Sequence, residues 1–166
     1  MTARLPRPDD LISGMVAELR PKLPVHPIMI GIHTGGVWVA KRLHQRLNLT
    51  TPLGSIDISF YRDDFSRIGL NPQVKASEIP HDIEDHCLVL VDDVLQTGRT
   101  IRAALNEIFS WGRPAAVQLA VLVELGGREL PIQPDVVGTR LDLERSQQIK
   151  LSGPDTLEFS ISERHT

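Results

Sequence analysis

Two adjacent acids, Asp92 and Asp93, stand just ahead of the turn Thr97-Gly-Arg-Thr100, and the pair and the turn together have the chemistry of a grip for a ribose phosphate. Carboxylates accept hydrogen bonds from a sugar diol, and free N–H groups at a helix start, aided by the helix dipole, bind a phosphate. Gly98 lacks a Cβ, so the backbone can approach the anion closely. An acid that merely caps a helix would be needed once, not twice. A Walker A loop would require Gly-x4-Gly-Lys-Ser/Thr where these acids stand. The candidate residues are therefore Asp92 and Asp93 for the sugar, and Val94, Leu95, Gln96, Thr97, Gly98, Arg99 and Thr100 for the phosphate segment.

These groups need elements to hold them. Cys87 to Val91 is continuously apolar, as expected of a strand buried on both faces of a parallel sheet, with the acids at its carboxyl end. Ile101, Ala104, Leu105 and Ile108 recur at helical spacing, which puts Thr97 to Thr100 at a helix N-terminus. Upstream, Leu11, Ile12, Met15, Val16 and Leu19 predict a first helix, begun by Asp9 or Asp10 and stopped by Pro21. Ile28 to Ile32 predicts a strand, Val37, Ala40, Leu43 and Leu47 a second helix, and Ile56, Ile58 and Phe60 a strand with one apolar face. Val117 to Val123 predicts another buried strand, with short ones at Val136 to Val137 and Ile149 to Leu151. Alternating strands and helices imply an α/β fold, a mainly parallel sheet flanked by helices.

Two further segments carry candidate chemistry. The turn His33-Thr-Gly-Gly36 leads from a strand into a helix, so Thr34, Gly35 and Gly36 can offer N–H groups to a second anion. Residues 62–80 lack periodicity and contain Gly69, Asn71, Pro72 and Pro80, the pattern of a lid. Its Arg62, Arg67 and Lys75 would let it close over a polyanionic ligand and exclude water, with Asp63 and Asp64 also counted in the lid.

At 166 residues without a linker, the chain is expected to be one domain, 1–166. No apolar run approaches the roughly twenty residues of a membrane span, and the N-terminus lacks the apolar core of a signal peptide, so a cytoplasmic protein with no membrane partner is expected. The single cysteine, Cys87, excludes an internal disulfide. Net charge is −3, but residues 1–50 carry +4 and the remainder −7. Such asymmetry can build a basic face, with Arg20, Lys22, Lys41 and Arg42 as candidate RNA contacts; the alternative is the solvated side of a helix. Six histidines lack ligand-like spacing, and only His33 sits at candidate chemistry.

The thirteen residues Leu88-Val-Leu-Val-Asp-Asp-Val-Leu-Gln-Thr-Gly-Arg-Thr100 resemble the phosphoribosyl diphosphate (PRPP) signature of type I phosphoribosyltransferases. With Ser55-Ile-Asp-Ile-Ser-Phe-Tyr-Arg-Asp-Asp64, Gly112-Arg-Pro114, Val117-Gln-Leu-Ala-Val-Leu-Val123 and Arg128-Glu-Leu-Pro-Ile132, the chain resembles the PyrR family over about residues 30–138. That resemblance implies the type I phosphoribosyltransferase fold with a flexible hood loop. It also implies a pyrimidine operon regulator that binds UMP or UTP and leader RNA and is a uracil phosphoribosyltransferase, a pentosyl-transferring glycosyltransferase. PRPP, uracil and Mg2+ held mainly through PRPP are the implied ligands, with no metal ligated directly by a protein cluster, and a homodimer or higher homo-oligomer is the implied assembly.

The hood on the base side would span 124–132, with Arg128 and Glu129 matching the family's base-side motif. The family's pyrophosphate loop typically reads Lys-Thr-Arg-Gly, and His33 and Gly35 replace its two cations. Neither a neutral His nor a Gly grips pyrophosphate as a guanidinium fork does, so weakened transfer is expected. The alternatives are a UMP-sensing RNA-binding regulator without catalysis and a salvage-only enzyme.

Overall fold

The computed structural model describes residues 4–59, 77–79 and 82–165. Five parallel strands, β1 (Ile28–Ile32), β2 (Gly54–Ile56), β3 (Cys87–Leu95), β4 (Ala116–Leu125) and β5 (Val136–Leu141), form a sheet in the order β2-β1-β3-β4-β5. The helices are α1 (Pro8–Leu19), α2 (Gly35–Arg46) and α3 (Arg99–Trp111). Alternate residues of a strand face opposite sides, and both sides are apolar here. Ile28, Ile30, Leu88 and Leu90 pack with Ile101, Ala104 and Ile108 of α3. Met29, Val89 and Val91 pack with Ile12 and Met15 of α1 and Val39, Ala40 and Leu43 of α2. Each fully buried side chain of this size contributes about 1.5–3 kcal/mol, so the sheet is held from both faces.

Strand order decides where a ligand can sit. The chain leaves β1 through α2 to reach β2, then crosses to β3 on the opposite side of β1. This reversal opens a crevice at the carboxyl ends of β1 and β3, where open α/β sheets bind ligands. Gly31 narrows it: a Cβ there would lie 2.8 Å from the Cα of Val37 and 2.9 Å from the Cβ of Ala40. Only a glycine lets α2 pack this tightly on β1, and that brings the start of α2 against β3.

Several elements depart from the sequence expectations. The central strand does not stop before the acids but runs on to Leu95, because β4 continues alongside and pairs Asp92 with Val121, Val94 with Val123 and Leu95 with Glu124. The strand expected over residues 56–61 is instead Gly54–Ile56. The Asp57 carboxylate accepts from the N–H of Ser59 at 2.9 Å, turning the chain out of the ladder, while Ile58 remains buried. Helix α1 starts at Pro8 after Arg7, with Asp9 and Asp10 in its first turn, because proline suits the first helical position. Pro21 does not end the segment abruptly, since a 3-10 turn follows over Arg20–Lys22. The segment around Ile149 to Leu151 pairs with a partner that the periodicity did not mark. Strands β6 (Gln147–Ser152) and β7 (Glu158–Glu163) make a separate antiparallel sheet. Among the described residues no helix is long and apolar enough to cross a membrane.

Candidate active site

The turn between β3 and α3 is anchored from behind. The carbonyl of Gln96 accepts from Arg128 Nη1 at 2.9 Å, and the carbonyl of Thr97 accepts from the N–H groups of Glu129 and Leu130 at 2.9 and 3.1 Å. In a trans peptide the N–H points opposite to the C=O. The N–H groups of Thr97 and Gly98 are therefore directed away from the 124–132 loop, and among the described residues neither has a protein acceptor. Gly98 adopts φ +92°, a left-handed conformation that an L side chain resists, and a Cβ there would lie 3.1 Å from Ile132 Cγ1. The Thr97 hydroxyl accepts from the N–H of Arg99 at 3.1 Å. Unpaired amides at a helix start are the kind of donor that anions bind, and Thr97 and Gly98 offer two of them at the start of α3.

The acids lie earlier, on β3 itself. Asp92 is buried at 5% exposure, and its Oδ1 accepts from the N–H of Asp93 at 2.9 Å. Asp93 Oδ1 accepts from the N–H of Val94 at the same distance, which fixes its carboxylate. The loop after β1 lies directly upon both. A Cβ on Gly35 would fall on the Asp93 carboxylate, 2.7 Å from Cγ, and one on Gly36 would come within 2.7 Å of the Val91 carbonyl. Gly35 and Gly36 are thus required by close approach to the acids, a constraint that their spacing alone did not reveal. His33 is held by its N–H to the Ile56 carbonyl, and Thr34 supplies the carbonyl that accepts from Val37. The structure so brings Gly35 and Gly36 against Asp92 and Asp93, while Thr97 and Gly98 follow β3 at the start of α3.

Other candidate residues are placed differently. Val94 packs against the core and Leu95 is 2% exposed, so they carry the backbone rather than present side chains. Arg99 meets Glu129 at 3.4 Å, both about half exposed, an ion pair of small energetic weight. Arg128 also donates through Nε to the Ile132 carbonyl and through Nη2 to Glu124 Oε1. Near these groups Gln96, Gly126, Gly127, Asp142, Glu144 and Arg164 line a cavity of about 500 Å³. Arg164 Nη2 donates to Gln96 Oε1 at 2.9 Å, a link across 68 residues that no motif announces. Arg62, Asp63, Asp64 and Lys75 lie outside the described residues.

Three of the four basic residues proposed for RNA hold backbone carbonyls. Arg42 braces the turn between β6 and β7, donating to the carbonyls of Pro154 and Asp155 as well as to that of Trp38 in its own helix. Arg20 donates to the Arg46 carbonyl, and Lys22 to the Asp135 carbonyl. Lys41 is exposed and lines a cavity of about 420 Å³ with His33 and Glu78.

The phosphoribosyl transferase domain family matches residues 10–152. Similar architecture occurs in a crystal structure of a purine phosphoribosyltransferase from Pyrococcus horikoshii, with a TM-score of 0.59 at 27% identity, covering 81% of this chain and 82% of that one. The fold is that of the type I phosphoribosyltransferases. A bifunctional protein PyrR from Nitrosococcus oceani is 57% identical over 154 residues, covering 92% of this chain and 87% of the relative. One from Pseudomonas syringae pv. tomato is 52% identical over 166 residues, covering 98% of each. The chain belongs to the PyrR family.

Proposed function

We propose that this protein is a pyrimidine operon regulator that binds uridine nucleotides and leader RNA and transfers ribose 5-phosphate from PRPP to uracil. One observation carries the reading: the amides of Thr97 and Gly98 have no acceptor among the described residues, directly after the strand whose end bears Asp92 and Asp93. In the reaction the bond from the anomeric carbon to a pyrophosphate oxygen breaks as that carbon bonds to a uracil nitrogen, which gives up its proton. The amides of Thr97 and Gly98, with Thr100 beyond them, hold the 5-phosphate, and Asp92 and Asp93 hold the ribose hydroxyls and favour positive charge developing on the ring. The Gly35 and Gly36 amides receive pyrophosphate. With no fixed cation at either position of that loop, the leaving group is gripped less firmly, which supports a weak transferase.

Mg2+ suits the site, since the Asp93 carboxylate is a hard oxygen donor that lies against the pyrophosphate loop. When bound, it offsets charge on pyrophosphate, with most of its ligands drawn from substrate and water. The base is assigned to the cavity beside Gln96 and Gly127, within the hood over 124–132, and Arg62, Asp63, Asp64 and Lys75 belong to the proposed lid. Backbone groups of the hood, with Glu129, are the proposed base contacts, since three N–H groups of Arg128 already have protein acceptors. For RNA the exposed Lys41 is the leading contact, with Arg20, Lys22 and Arg42 secondary because each has a carbonyl partner. A cytoplasmic homo-oligomer is the reading adopted, with one domain over 1–166.

Uracil-dependent conversion of PRPP to UMP tests the enzyme. Retardation of pyrimidine leader RNA, with and without UMP over a salt series, tests the regulator, since phosphate-driven binding weakens steeply with salt. Absence of both would overturn the proposal.

A further inference from the structure

Arg128 stands where three segments meet. Its Nε donates to the Ile132 carbonyl at 2.8 Å, its Nη1 to the Gln96 carbonyl at 2.9 Å and its Nη2 to Glu124 Oε1. These acceptors belong to the hood loop, the phosphate turn and the end of β4. Arg128 and Glu124 are 24% and 16% exposed, so the charge-assisted pair is partly shielded from water. Glu124 is held from its other oxygen too: Arg140 Nε lies 2.8 Å from Oε2, an ion-pair contact off the line of a hydrogen bond. The Cδ of Arg128 would lie 3.5 Å from a Cβ at Gly98, so the stem of the side chain also backs the turn.

We infer that Arg128 is a positioning residue for the ribose 5-phosphate, acting by holding the Gln96 carbonyl so that the Thr97 N–H faces the crevice. The inference rests on the proposed reading of the turn as the 5-phosphate site. Peptide planarity transmits the effect: with the carbonyl released, the Gln96–Thr97 peptide can rotate and the anion loses a donor. A lysine cannot substitute, because one ammonium on a flexible stem does not present three donors to three fixed acceptors. The clamp separates phosphate affinity from base affinity, since no partner of Arg128 needs the base to be present.

The test uses full-length Arg128→Met and Arg128→Lys, with Glu124→Gln as a milder variant that keeps an acceptor for Nη2. Calorimetry gives affinities for UMP and for uridine, steady-state kinetics gives KM for PRPP and for uracil, and thermal melts follow the fold. The expected result for both Arg128 variants is a UMP Kd and a PRPP KM raised about tenfold, or about 1.4 kcal/mol. Uridine affinity and uracil KM should stay within about twofold, and Glu124→Gln should show the same selectivity at about threefold. Loss confined to uridine and uracil would make Arg128 a base contact and overturn the inference. So would equal losses for UMP and uridine with a collapsed melting temperature, or an unchanged UMP affinity. Wild-type protein that binds UMP no tighter than uridine would instead remove the phosphate site itself, and the inference with it.

Discussion

Gly35→Ala is the sharpest probe of the crevice, because one methyl group is placed against one carboxylate. A Cβ at this position would lie 2.7 Å from Asp93 Cγ. Carbon atoms in contact settle near 3.5 Å, so the carboxylate must retreat by about 0.8 Å or α2 must lift from β3. Alanine in a helix gains about 1 kcal/mol over glycine, while overpacking costs about 1–3 kcal/mol. The net loss of at most about 2 kcal/mol is small beside a typical stability of about 5–15 kcal/mol, so the variant should fold. Misplacing a catalytic group by close to 1 Å costs about a hundredfold in rate. The expected outcome is therefore a roughly hundredfold fall in UMP formation with a melting temperature only a few degrees lower, about what such a loss implies. A folded Gly35→Ala enzyme with wild-type turnover would refute the reasoning that Asp93, held on this loop, sets the rate.

The other predictions use separate parts of the molecule. Asp93→Asn can keep the bond to the Val94 N–H, so circular dichroism and melting should be unchanged while transfer falls by about a hundredfold or more; equal turnover would take the acid out of the site. Gly98→Ala must adopt φ +92° against Ile132, and should destabilise the fold by about 1–3 kcal/mol in urea titrations and weaken UMP binding. Gly31→Ala places a methyl 2.8 Å from the Val37 Cα and should cost about 1–3 kcal/mol of stability, with turnover reduced as α2 shifts. Lys41→Glu, an exposed change that leaves the Arg42 clamp intact, should weaken leader RNA retardation and flatten its salt dependence while UMP affinity stays the same.

What could be read from the residues in order was whatever depends on near neighbours. The apolar run into Asp92 and Asp93, the helical spacing after Arg99 and the glycine at position 98 are local patterns, and β3, α3 and the left-handed Gly98 appear as their chemistry requires. Boundaries set by a neighbouring strand were less legible. β3 outruns its apolar stretch because β4 keeps pairing beside it, and Asp57 ends β2 by turning its carboxylate onto Ser59. The fate of charges was hidden as well: Arg42 resembled an open basic residue on a helix, yet it holds the turn at Pro154 and Asp155, more than a hundred residues away. Periodicity records which face a residue occupies but not which carbonyl a guanidinium will find, since a hydrogen bond needs donor and acceptor positioned within a few tenths of an ångström. The acids and the glycine turn after them were therefore determined by sequence. Tertiary packing decided that Gly35 lies on Asp93 and that the loop over 124–132 turns the amides of Thr97 and Gly98 outward, because only the folded sheet brings those segments into contact.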